Sequence, residues 1–194
     1  MDIEQEMTGF VNRLLTTHVT NTYPYHNIDH TLYVLDKTKL IAAHIGVSQT
    51  DLHLLKAAAL WHDVGYINTM LHHEEESCTL AQMQLPQFGF TDEQISMICG
   101  MIMATQLPQV THNELEAILA DADLEYLSTA QADDMANELY KEMLIHHPTL
   151  SARDWDQIQV KFLEAHHYHT DFCFEHMEPA NLGYLKMIID RLNA

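Results

Sequence analysis

Ala57-Ala58-Ala59-Leu60-Trp61-His62-Asp63-Val64-Gly65-Tyr66 joins an apolar helix to an adjacent imidazole and carboxylate, followed by a glycine turn. Leu52, Leu55 and Ala59 recur at helical steps, and the next inward positions on that face are His62 and its neighbour Asp63. A carboxylate aimed at a core needs a cationic partner or a metal, because burying an unpaired charge is costly. With 9 Lys+Arg in 194 residues, a metal ion is the easier source of positive charge. For a lone His-Asp pair a structural hydrogen-bonded pair is the favoured reading, so other residues must decide.

Outward from this stretch the chain reads as all-α. Only 6 Gly and 5 Pro in 194 residues leave few breakers for a sheet, and the length suits one domain with a sizeable core. Residues 2–21 form an amphipathic pattern carrying Phe10, Val11, Leu14 and Leu15, ending before the turn-like Asn21-Thr22-Tyr23-Pro24. Asn27 is a candidate N-cap, with Asp29 in the first turn, for a helix running to about His44. His30 lies on the shoulder of that helix's apolar stripe, and His26 sits on its lip if Asn27 caps it. Ser48 or Thr50 starts the helix bearing the doublet, and Gly65 lets the chain leave it.

The next helix, His73 to Leu85, opens with Glu74, Glu75 and Glu76, which the helix dipole favours. Thr91 and Gln94 have capping-box spacing. Gln94 to Asn113 carries no Asp, Glu, Lys or Arg, yet its apolar heart, Ile95 to Ala104, is much shorter than the ~20 residues of a membrane span, so a buried helix is expected. In the helix over 113–127, Asp123 lies closer than Asp121 to the stripe of Leu115, Ile118, Leu119, Ala122 and Tyr126. Three further helices are predicted over 129–146, 151–167 and 171–192. His166, His167 and His169 gather near a helix end, where a dipole role and ligation are equally open.

A formal net charge of -19 argues against binding a nucleic-acid polymer, and it repels small anions unless a metal reverses the field locally. Cys78, Cys99 and Cys173 form no CxxC pattern, which speaks against a disulfide framework or thiolate zinc site and suits a reducing cytoplasm. The acidic start, Met1-Asp2-Ile3-Glu4-Gln5-Glu6, lacks the features of a signal peptide. A cytoplasmic protein without a membrane partner is the expectation.

The inward polar residues are His30, His62, Asp63 and Asp123, from three helices. Two imidazoles and two carboxylates suit Mn2+, Fe2+, Zn2+, Ni2+ or Mg2+ and leave room for water and a phosphate oxygen. This H…HD…D order resembles the HD-domain superfamily of metal-dependent phosphohydrolases, over roughly residues 23–127. The resemblance implies a single HD domain over 1–194, a helical bundle with its metal-site core at about 23–127 and a helical C-terminal extension at about 128–194. It also implies a metal held by His30, His62, Asp63 and Asp123, and hydrolysis of a phosphate mono- or diester, expected to be a nucleotide, through a metal-bound water.

Tyr25-His26-Asn27-Ile28-Asp29-His30 is similar to the YHNxxH of cyclic nucleotide phosphodiesterases, which makes His26 the candidate general acid; Val64-Gly65-Tyr66 after the doublet does not continue that likeness. His73-Glu74-Glu75-Glu76-Ser77, Met103-Ala104-Thr105, Asp121-Ala122-Asp123-Leu124 and Phe162-Leu163-Glu164-Ala165-His166 look like a bacterial HD group found alone or joined to nucleotide cyclases. Dinuclear HD branches place two more histidines before the final aspartate. His72 or His73 could serve once and the helix around Met101 offers none, so one divalent ion is predicted.

On this reading Asp63 or Asp123 takes a proton from water, and Glu74 or His73 orients that water at the rim. His73 and Thr105 are further candidates for contact with substrate or ligands. Lys37, Lys39 and Lys56 read as solvated helix charges, and an exposed face of the last helix is a candidate homodimer surface. The alternative, from another class, is a metal- and nucleotide-binding sensory module without turnover. A redox HD oxygenase is disfavoured by the missing ligands.

Overall fold

The computed structural model describes residues 3–19 and 23–194, and every regular element among them is helical. In order these are α1 (Ile3–His18), α2 (Ile28–Ile45), α3 (Gln49–Trp61), α4 (His73–Gln84), α5 (Asp92–Met103), α6 (Glu114–Asp123), α7 (Ala132–His146), α8 (Ala152–Ala165), α9 (Asp171–His176) and α10 (Glu178–Leu192). Tighter 3-10 turns occupy Val64–Ile67, Leu85–Phe88 and Glu125–Ser128. The start of the predicted first helix and part of the turn after it fall on residues 1–2 and 20–22, outside the described residues.

The α3 helix is the axis of the fold. Leu54, Leu55 and every residue from Ala57 to Trp61 are buried, so it is apolar nearly all round rather than along one stripe. Around it pack α1, α2, α5 and α6. Phe10 of α1 stacks on Trp61 with ring centroids 6.0 Å apart. A second apolar cluster, containing Tyr126, Leu127, Ala136, Trp155, Leu163 and Ile188, is built by the 125–128 turn with α7, α8 and α10.

Local chemistry places the helix ends. Asn27 and Ser48 cap α2 and α3, and Thr91 with Gln94 forms the expected capping box on α5. Three boundaries differ from the sequence expectation. The α6 helix stops at Asp123 and tightens into a 3-10 turn; α8 stops at Ala165, with His166 extended; and the final helix is broken into α9 and α10 at Met177. Pro179 explains the last break, since it tolerates only a first-turn position in α10.

Gly65 has a different role from the expected helix exit. A Cβ there would lie 2.0 Å from the His73 carbonyl oxygen, so this glycine lets the doublet's turn press against the start of α4. Its N–H donates to Ser77 Oγ at 2.8 Å. The lysines differ too: Lys37 pairs with Glu125 at 2.8 Å, and Lys39 and Lys56 both pair with Glu4, so these charges tie helices together. No helix among the described residues is long and apolar enough to cross a membrane.

Candidate active site

The N-cap of α2 sets the site's entrance. Asn27 Oδ1 accepts the N–H groups of Asp29 and His30, so the helix begins after His26, leaving that ring on the lip and His30 inside. The α3 helix delivers His62 at its C-terminal end, and α6 delivers Asp123 at its last residue.

These side chains converge. His30 Nε2 lies 3.1 Å from Asp123 Oδ1 and 3.4 Å from His62 Nε2. Asp63 Oδ2 lies 3.1 Å from His62 Nε2 and 3.4 Å from His30 Nε2. His30, His62 and Asp123 each offer a ligand atom within 4.8 Å of the others, a grouping able to hold a metal ion.

The residues fit such an ion for two reasons. His62 Nδ1 donates to the Ala59 carbonyl at 2.8 Å, so the neutral ring presents the lone pair of Nε2 to the cluster. Asp63 Oδ2 is buried without a well-formed hydrogen bond, its polar neighbours being the two imidazole Nε2 atoms at 3.1 and 3.4 Å, an arrangement that suits a cation shared among them.

The electrostatics point the same way. Burial alone would depress His30 and His62, but Asp63 and Asp123 override it and hold both imidazoles above their ordinary pKa. Burial would raise the two carboxyls, yet the facing histidines hold Asp63 well below the usual range and Asp123 below it as well. The same negative field that favours protons on these imidazoles would favour a divalent ion held by His30, His62, Asp63 and Asp123.

His26 is fixed by a residue the sequence reading missed. Its Nδ1–H donates to Glu142 Oε1 at 2.5 Å, while Glu142 Oε2 accepts the backbone N–H groups of Tyr25 and His26. That leaves His26 Nε2 facing the Tyr66 hydroxyl at 3.2 Å, with the two rings stacked at 4.1 Å. The available signal was helical phase: Glu142 falls on the same side of α7 as Met135 and Leu139, yet it is buried at 2 % exposure.

The other candidates occupy varied places. His73 Nε2 is 3.3 Å from Asp63 Oδ1 and 3.4 Å from Glu74 Oε1, so both stand at the rim, with Glu74 buried beyond what a dipole role requires. Thr105 lines the same cavity but donates its hydroxyl to the Ile102 carbonyl at 2.8 Å. Asp121 is the more buried of the α6 aspartates, contrary to the stripe argument. Residues 166–170 cover the far side of that helix, and Asp121 accepts the Thr170 hydroxyl and the His169 and Thr170 N–H groups. Of the clustered histidines His166 is buried against Phe162 and Tyr168, while the exposed His167 and His169 make polar contacts with Glu178 and Gln109.

Asp63, Asp123, His26 and His73 open onto a cavity of about 660 Å³, a size usual for small-molecule sites. No Lys or Arg lines it among the described residues.

Comparison with known proteins agrees with this constellation. No curated protein matches the chain. A crystal structure of a predicted HD superfamily hydrolase from an uncultured Thermotogales bacterium is similar in fold, with a TM-score of 0.65 and 19% identity over 97% of this chain and 90% of that one. The family model for the HD domain matches residues 27–125, just over half of the 194 residues, and that span begins at the cap of α2 and ends just beyond Asp123. With His30, His62, Asp63 and Asp123 all inside it, the chain belongs to the HD domain family.

Proposed function

We propose that this HD protein is a metal-dependent phosphohydrolase acting on a phosphate ester of a small molecule. The observation that carries the proposal is the meeting of the His30 and His62 Nε2 atoms with the buried carboxylates of Asp63 and Asp123. His30, His62, Asp63 and Asp123 would hold one divalent cation. Such a cation polarises a phosphoryl oxygen and makes water more acidic.

The chain's own groups supply the rest. Asp63 directs Oδ2 at the histidine pair and Oδ1 at His73, so Oδ1 is the acceptor for a proton leaving the attacking water. His73 and Glu74 orient that water from the rim. His26, its Nδ1–H held by Glu142, presents Nε2 to protonate the leaving oxygen.

The test combines metal content with turnover. Wild-type protein loaded with Mn2+ should bind one ion per chain and release phosphate or a phosphomonoester, and Asp63→Ala should lose both. Turnover in metal-free Asp63→Ala at the wild-type rate would sink the proposal; a bound ion with no product from any ester would favour a sensory module.

A further inference from the structure

The cavity does not end at the metal-ligating residues. It continues away from Asp63 and Asp123 into the second apolar cluster, where Leu127, Leu139, Met143, Trp155, Phe162 and Leu163 form its walls. These residues come from the 125–128 turn, α7 and α8. A half-open apolar cleft lined in this way lowers the free energy of apolar surface and gives a polar ligand little in return for lost water.

The amide on the inner wall is already committed: Gln159 donates to Asp156 at 3.2 Å and accepts the Tyr184 hydroxyl at 2.8 Å. The Trp155 indole N–H is a single unpartnered donor there. A nucleobase would bring several edge donors and acceptors, more than that one N–H can meet. A di- or triphosphate would bring charge that no lining Lys or Arg meets, beside Glu74 and Glu75 at the mouth.

Resting on the phosphohydrolase reading, we infer that the substrate is a single-phosphate ester of an elongated apolar alcohol, its phosphate at the His30–His62–Asp63–Asp123 cluster and its chain between α7 and α8. Hydrolysis breaks the bond between phosphorus and the alcohol oxygen and forms one to the oxygen of water. One proton of the water ends on the alcohol, which departs up the apolar chamber.

The test uses a series of unbranched alkyl phosphates, their non-hydrolysable alkylphosphonates and nucleoside 5'-monophosphates on the Mn2+-loaded protein. Trp61 and Trp155 are the chain's 2 tryptophans, and only Trp155 lines the cavity, so its fluorescence reports occupancy without turnover. Each added methylene should tighten phosphonate binding and raise kcat/KM by about fourfold until the chamber is full. Ala136→Phe narrows the chamber and should end the gain at a shorter chain.

Hydrolysis of short esters or nucleotides with no dependence on chain length would overturn this inference while leaving phosphohydrolysis standing. Chain-length-dependent phosphonate binding without hydrolysis of any ester would do the reverse, keeping the apolar chamber and removing the catalytic reading. Absence of graded binding in the fluorescence titration overturns the inference whatever the turnover.

Discussion

Holding a metal and protonating the leaving oxygen fall to different single residues. His26→Gln should keep the ion and lower kcat by about 10²- to 10⁴-fold, the usual contribution of a general acid, as checked by metal analysis beside steady-state rates. Glu142→Gln weakens the hydrogen bond that fixes the His26 ring, so it should lower kcat while leaving KM and metal content unchanged. An unchanged kcat would show that Glu142 does not position His26. His166 carries a separate pH effect. Burial pushes its pKa down to about 4, from 6.5 in an unfolded chain, so the unfolded state binds more protons between those values. Its contribution is complete above pH 6.5 and is lost as pH falls toward 4, a change of up to about 3 kcal/mol. Urea titrations of wild type and His166→Gln should therefore show the wild type losing stability faster over that interval. The convergence of His30, His62, Asp63 and Asp123 was legible because each stands beside a helical apolar stripe in a familiar order. The partner of His26 was not, since Glu142 lies 116 positions away and one chain carries no sign of which distant helix packs there.

At the scale of elements, two helices do more than the sequence revealed. The turn after α3 touches the start of α4 through Gly65, and the 2.0 Å approach leaves no room for a methyl group. Gly65→Ala should force the doublet's turn away from α4 and separate Asp63 from His73. A loss of several degrees in Tm together with weakened Mn2+ binding in calorimetry is the expected result. A wild-type affinity would show that this contact does not position the site. The α6 helix has packed neighbours on opposite sides: Asp123 faces the histidines and Asp121 faces residues 166–170. Asp121→Ala leaves buried donors unpaired, which costs about 1–3 kcal/mol for each group, so thermal unfolding should begin earlier while the metal site keeps its composition. The amphipathic stripe suggested only one inward aspartate because periodicity assumes one buried face. The break between α9 and α10 was foreshadowed by Pro179 but hidden by the apolar pattern running on through it.

At the scale of the whole molecule, the all-helical class and the order of the first six helices follow from caps, breakers and apolar spacing. The chamber does not, because it arises from how α7, α8 and α10 meet a turn that ends the HD core. A net charge of -19 with no lining Lys or Arg makes the site's attraction for phosphate depend on a bound cation. Removing the ion with a chelator should therefore abolish binding of phosphate-bearing ligands as well as turnover, and Mn2+ should restore both. Hydrolysis by the Mn2+-loaded protein in 18O-labelled water, with Asp63→Ala in parallel, tests metal-dependent attack of water on phosphorus. Label is expected in the released phosphate, none in the alcohol, and no product from the variant. Label in the alcohol, or equal phosphate release by the metal-free variant, would contradict it.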